Sequence, residues 1–354
     1  MRPETEAELA DLVRAARAPL SPLGGGTRLR PGEGAGTRLD LSALSGVVLY
    51  EPAALTLVVR AGTPLAEVQA VLAEERQMLA FEPDARDGST IGGVAAANAS
   101  GPRRVQAGAC RDAMLGLRLV DGTAEIVRNG GRVMKNVTGY DLVKLMAGSR
   151  GQLGVLTEIA FKTAPMPPCA LTLALPDLDA AGAVPALTAA LTGPYDISGA
   201  AWLPGQGALI RLEGLAGSVA IRRQALERRL APFGAVAEGD PALWSRMVPR
   251  AAQGDLWRIL CRPSEAPALL AALPQPLAVE WGGALIWAAL PAGQAPVLPA
   301  WSGHATRVTG SAPLTLPAAN PVVARLNASL RERFDPRGIL ASDGPCKPIL
   351  QMSS

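Results

Sequence analysis

The chain has 354 residues, 49% hydrophobic and 18% charged, enough for two globular domains with buried cores and too apolar for long disorder. Thirty-four basic residues against 31 acidic ones leave a formal charge of +3, and no Lys/Arg block stands out, so nucleic acid is not an expected partner. The four cysteines (Cys110, Cys169, Cys261, Cys346) form no CxxC, which argues against a zinc site, a self-contained iron–sulfur cluster or a disulfide framework, and fits a reducing cytoplasm.

The start, "MRPETEAELADLV", lacks the apolar core of a secretory signal, and no long apolar run predicts a membrane span. "ETEAELADLVRAAR" places Leu9, Leu12, Val13 and Ala16 on one helical face, with Thr5 and Glu8 as a capping box. A short strand leads into "PLGGGT". "TLVVRAG" reads as a strand, after which Thr63 caps a helix with Pro64 at its first position and Leu65, Val68 and Leu72 on its buried face. "MLGLRLVDGTAEIVRNGG" reads as a hairpin turning at Asp121–Gly122. "DLVKLMAGSRGQLGVLTEIAFKT" reads as a short helix, a glycine turn and a strand.

"APMPPCA" (164–170) is the predicted linker. Beyond it "ALTLAL", "GALIRLEG", "DLWRIL", "LAVEW" and "ALIWAAL" read as strands, and "SVAIRRQALERRLAPF" and "SEAPALLAALP" as helices. That pattern predicts an antiparallel sheet covered by helices. All six tryptophans follow residue 200, and Trp202, Trp244, Trp257, Trp281 and Trp287 are candidates for a partner surface or for ordinary core positions. A last helix, "PVVARLNASLRERF", carries Val322, Leu326, Leu330 and Phe334 at i+4 steps, followed by "DPRGILASDGPCKP".

Three glycine clusters carry the chemistry. In the first, Gly24, Gly25, Gly26 and Thr27, bare backbone lets N–H groups converge on an anion; a plain tight turn would leave the same trace. It lacks both the Lys-Ser/Thr of a P-loop and GxGxxG spacing. In the second, "GSTIGGVAAANASG", Gly92, Gly93 and Gly101 flank small residues that admit a large flat ligand. Ser89, Thr90 and Asn98 offer hydrogen bonds there; the alternative is a tightly packed Ala-rich helix. In the third, Gly148, Ser149, Gly151 and Gly154 form a turn that either faces a ligand or packs a strand on a loop.

Taken in order, "PLGGGT", "TIGGVAAANASG" and "GYDLVKLMAGSRGQLGVLTEI" resemble the FAD-binding domain shared by vanillyl-alcohol oxidase-type and p-cresol methylhydroxylase-type (PCMH-type) flavoproteins. "RNGGRVMKNVTGYDLVKLMAGSRGQLGVLTEI" is similar to the E-subunit family of bacterial glycolate oxidases, and "RFDPRGIL" resembles the family's "DPxGIL" tail. The resemblance implies an α+β fold. A two-subdomain PCMH-type FAD-binding domain (residues 1–165) precedes a smaller α+β cap domain with an antiparallel sheet (170–320). A C-terminal helix and tail (321–354) then return to the FAD domain. It implies non-covalent FAD, with the pyrophosphate on the N–H groups of Gly24 to Thr27. Ser89, Thr90, Gly92, Gly93, Asn98 and Gly101 would lie along the pyrophosphate and flavin; Gly148, Ser149, Gly151, Gly154 and Ile159 would lie toward the adenosine half.

Oxidising a 2-hydroxy acid needs a cation for the carboxylate and a base or metal for the hydroxyl proton. Relatives acting on D-2-hydroxy acids carry an HxH-type metal pair; here His304 is the single histidine, so no metal is expected. His304 is either a strand-end residue without chemistry or a base beside the flavin. The resemblance therefore implies an FAD-binding subunit of a glycolate oxidase or dehydrogenase complex that oxidises glycolate to glyoxylate, with the hydroxy-acid chemistry mainly in a partner subunit. Its partners would be a larger flavoprotein subunit and an iron–sulfur subunit, in the cytoplasm or peripheral to the inner membrane through that complex. The alternative is a self-sufficient FAD-dependent 2-hydroxy-acid oxidase or dehydrogenase.

Overall fold

The computed structural model describes residues 1–31, 33–132, 139–249, 253–312, 315–316 and 320–340. The chain folds into two compact units. The first holds Met1–Ser100, Ala109–Met166 and the described C-terminal stretch; the second holds Gly101–Gly108 and Pro167–Ala318. Residues 133–138, within "RNGGRVMKNVTGYDL", and Cys346 with the last part of the tail, lie outside the described residues.

In the first unit α1 (Glu6–Ala15) starts at Thr5, whose hydroxyl accepts the Glu8 N–H at 3.1 Å; Leu9, Ala10 and Val13 are buried. The Glu8 carboxylate reaches the Glu4 N–H rather than that of Thr5, so the capping box is half made. Strands β1 (Leu20–Leu23) and β2 (Thr37–Asp40) pair in parallel. An antiparallel sheet follows in the order β3 (Val47–Glu51), β4 (Thr56–Arg60), β8 (Val155–Lys162), β6 (Met114–Val120), β7 (Ile126–Gly130). A small ladder joins β5 (Gln77–Met78) to β9 (Ala164–Pro165).

Helices α2 (Leu65–Glu74), α3 (Ile91–Ala97), α5 (Cys110–Ala113) and α6 (Leu142–Met146) pack on that sheet. The core between them includes Val59, Val68, Phe81, Ile91, Leu117 and Phe161. The helix start near Thr63 differs from expectation. Pro64 is the N-cap of α2, and the Thr63 hydroxyl instead donates to Arg60 O (2.7 Å) and accepts from Gly46 N (2.9 Å). A buried hydroxyl takes whichever partners its surroundings bring, and here the strand end outcompetes the helix.

The second unit is built on a nine-stranded antiparallel sheet. Its order is β13 (Ala237–Glu238), β10 (Cys169–Leu175), β12 (Gly207–Gly214), β11 (Ile197–Leu203), β15 (Pro276–Glu280), β16 (Leu285–Leu290), β14 (Asp255–Leu260), β17 (His304–Thr309), β18 (Thr315–Leu316). Helices α7 (Ala180–Leu191), α8 (Ala216–Leu230) and α9 (Ala266–Ala271) bury one face. The inserted turn α4 (Arg104–Ala107) belongs here, and Arg103 beside it forks onto the buried Glu213 at 2.9 and 2.6 Å.

Trp202, Trp244, Trp257, Trp281 and Trp287 are all buried, so they are core residues and form no exposed partner surface. Most of their indole N–H groups are paired, for example Trp244 with Thr172 Oγ1 at 2.9 Å. Helix α10 (Pro321–Phe334) returns to the first unit and sets Leu330 and Phe334 against its core. Val322 and Leu326 stay about half exposed, so only the C-terminal half of the i+4 stripe is used. The tail beyond it is pinned by Asp335, whose carboxylate accepts from Ile339 N (3.0 Å) and Leu340 N (2.6 Å). Ile339 and Leu340 then join Leu9, Leu20 and Leu39 in a second small core.

Candidate functional site

A cleft in the first unit opens where β1 ends. It is lined by the loop from Gly24 to Arg28, by Thr90, Gly92, Gly93, Ala96 and Ala97, by Arg150, Gly151 and Gly154, and by Leu340. The loop's glycines have two different causes. A Cβ on Gly24 would stand 2.1 Å from Thr90 Oγ1, and one on Gly25 only 1.6 Å from Gly88 O. These two are demanded by the close approach of the loop to residues 88–90, a packing reason the linear sequence does not display. Gly26 has space around it but a φ of +69°, which glycine adopts without strain. Among the described residues, none of the N–H groups of Gly24, Gly25, Gly26 or Thr27 finds an acceptor in the chain. Four successive N–H groups that no described acceptor of the chain takes up, on a concave wall, can converge on an anion.

The second cluster is a helix with its ends sealed. Thr90 caps α3, its hydroxyl accepting from Gly93 N at 3.3 Å. Gly92 is required because a Cβ would sit 2.6 Å from Ala61 O. Asn98 ends the helix at φ +48° and its side chain accepts from Arg111 N at 3.0 Å. Buried Ser89 takes a hydrogen bond from Arg28 Nη2 at 3.3 Å. Gly101 falls in the second unit, where its carbonyl accepts from the Trp281 indole at 3.1 Å.

The third cluster closes the C-terminal end of that helix. Gly148 N donates to Ala95 O (3.1 Å) and Arg150 N to Ala96 O (2.9 Å), satisfying carbonyls that a helix end leaves open. A Cβ on Gly154 would lie 2.6 Å from Leu119 Cδ1. Ser149 is buried beneath the turn, and Ile159 is buried in β8 opposite Val59 and Leu117. The structure therefore brings Gly24 to Thr27, Thr90, Gly92, Gly93, Gly151 and Gly154 to one cleft wall, while Ser89, Asn98, Gly148, Ser149 and Ile159 are not among the residues that line it.

The charged members of the wall are not singled out by the sequence. Arg28, with a side chain 9% exposed, bonds to Asp84 Oδ1 at 2.5 Å and to Asp84 O at 2.7 Å. Burial lowers its pKa, with Asp84 pulling the other way. Arg150 pairs with Glu33 at 2.6 Å and also donates to Arg28 O. Arg86 donates to Thr27 O at 2.9 Å and shares Asp84. The one available signal is position: Arg28 follows the glycine loop directly, and Arg150 stands inside the third cluster.

His304 opens β17 in the second unit, paired with Leu260. Among the described residues no cluster of His, Cys, Asp and Glu could hold a metal ion.

The FAD binding domain family matches residues 1–130. The chain is 36% identical over 317 residues to "Glycolate oxidase subunit GlcE" of Escherichia coli (strain K12), covering 86% of this chain and 85% of that protein. The chain belongs to this family of FAD-binding glycolate oxidase E subunits. A "D-lactate dehydrogenase" of Anaerostipes hadrus is 32% identical over 177 residues, 49% of this chain and 37% of that protein. "Glycolate oxidase subunit GlcD" of Bacillus subtilis (strain 168) is 36% identical over 163 residues, covering 44% of this chain and 34% of that protein. The chain thus spans only about a third of these two longer relatives.

A solved alkyldihydroxyacetonephosphate synthase superposes with a TM-score of 0.70 at 15% identity, over 97% of this chain and 76% of that one, a likeness of fold alone. The fold is that of the PCMH-type α+β class, the cofactor of the family is FAD, and the chain is an FAD-dependent oxidoreductase. The run of N–H groups in the glycine loop, left open by the described chain, fits the diphosphate of that cofactor.

Proposed function

We propose that this chain is the FAD-binding subunit of a glycolate oxidase or dehydrogenase complex. The complex oxidises the CH–OH group of glycolate to glyoxylate, with the hydroxy-acid chemistry mainly on a larger flavoprotein subunit and the electrons leaving through an iron–sulfur subunit. The observation that carries the reading is the 36% identity to a glycolate oxidase E subunit along 85% of that protein's length. Bound FAD supplies a site that accepts a hydride and releases electrons one at a time. The N–H groups of Gly24 to Thr27 would hold its diphosphate without a covalent link. Thr90, Gly92, Gly93, Gly151 and Gly154 would flank it, and Ser89, Asn98, Gly148, Ser149 and Ile159 would support that wall from behind.

None of the helices among the described residues is long and apolar enough to cross a membrane. The reading places the chain in the cytoplasm, with any contact to the inner membrane made through the complex. The test is glycolate-dependent reduction of an artificial electron acceptor by the chain alone and by the chain co-purified with its two partner subunits. Turnover by the complex, with little by the chain alone, is the expected result. Full turnover by the isolated chain, abolished in His304→Ala, would replace this reading with the self-sufficient oxidase.

A further inference from the structure

The turn Ser149–Arg150–Gly151 has positive φ at two successive residues, +56° at Arg150 and +79° at Gly151. Glycine suits that backbone, whereas an L side chain is held there at a conformational cost. The Arg150 side chain is largely buried, 14% exposed, and its bonds go to the stretch just beyond Thr27. Its Nε reaches both Glu33 oxygens at 2.8 and 2.9 Å, and its Nη2 donates to Glu33 and to Arg28 O. On the preceding peptide Arg86 Nη1 donates to Thr27 O at 2.9 Å. Two consecutive carbonyls of the loop therefore rest on guanidinium groups. Three arginines (Arg28, Arg86, Arg150) and two carboxylates (Glu33, Asp84) make up this clamp.

We infer that Arg150 and Arg86 are positioning residues for the cofactor diphosphate. They hold the carbonyls of Thr27 and Arg28, and so fix the Thr27–Arg28 and Arg28–Leu29 peptide planes, anchoring the C-terminal end of the loop whose Gly24 to Thr27 N–H groups would face the anion. This rests on the FAD reading of the cleft and deepens it, because it explains an arginine where glycine would fit more easily.

The test uses the full chain stripped of flavin and titrated with FAD and, separately, with ADP, which carries the diphosphate without the flavin. The variant is Arg150→Gly combined with Glu33→Gln, so that no buried carboxylate is stranded. The apo melting temperature should stay within a few degrees of the parent, while both nucleotides bind about 10-fold more weakly or worse. Arg86→Gln, a second variant that keeps a donor, should weaken both by a smaller factor. Binding of FAD and ADP within about 2-fold of the parent in both variants would overturn the inference. So would affinity losses that only track a large fall in apo stability, since the arginines would then merely hold the fold. If the unmodified chain bound neither nucleotide, the cofactor reading itself would fail, a result visible before any variant is made.

Discussion

Gly25→Ala is the sharpest single perturbation of the cleft. The added methyl would sit 1.6 Å from Gly88 O and 2.6 Å from the Gly88 carbonyl carbon, and both obstacles are backbone, which no rotamer change can move. The loop and residues 88–90 must separate. Overpacking of this kind costs about 1–3 kcal/mol. If that cost falls on the bound form, affinity drops roughly 5- to 150-fold. Gly26→Ala is the control: its methyl would meet only Leu29 Cδ1 at 3.9 Å, so its cost is the left-handed backbone alone, about 1–2 kcal/mol. The assay is the ratio of flavin to protein absorbance after purification, followed by an FAD titration of the apo chain. Gly25→Ala should lose flavin more completely than Gly26→Ala. A Gly25→Ala protein with full flavin content and parental affinity would refute this view of how the loop is packed and what it holds.

Asp335→Ala removes the acceptor for two N–H groups at the start of the tail and should lower stability by about 1–3 kcal/mol, read by urea unfolding. Glu213 is pushed up by burial but pulled further down by Arg103 and Arg211, so its folded pKa lies below the ordinary carboxylate value. A depressed carboxylate contributes stability that is complete above the unfolded pKa, about 4.3, and is lost as pH falls through the folded value. Glu213→Gln should therefore flatten the acid limb of the stability curve below about pH 4, as followed by thermal melts, and leave the slope near neutral pH alone. Burial raises the Cys261 thiol to about 12 and pushes Cys110 up as well. Neither should be alkylated by iodoacetamide at pH 8 in the native protein, and both should react after denaturation, as read by peptide mass spectrometry.

Much of the cofactor cleft is visible in the sequence because its three glycine clusters keep fixed local spacing. What they do for one another is not visible. Gly24 and Gly25 are bare because Thr90 and Gly88, more than sixty residues on, press against them. The arginine–carboxylate clamp is equally non-local: Arg150 and Glu33 are 117 positions apart. In the second unit β10, β12, β14 and β16 announce themselves as apolar runs. β11, "ISGAAWL", is diluted by small residues, and α7 is obscured by Gly182 and Pro185 although Asp179 caps it at 2.7 Å. Both are set by burial in the sheet and its helical layer rather than by intrinsic propensity.

Whether the glycine loop is a diphosphate site can be decided by calorimetric titration of the flavin-free chain with FAD, alone and in the presence of ADP. One FAD per chain, displaced competitively by ADP, is the expected result. Stoichiometric binding that ADP cannot compete with would place the cofactor's diphosphate somewhere other than on Gly24 to Thr27.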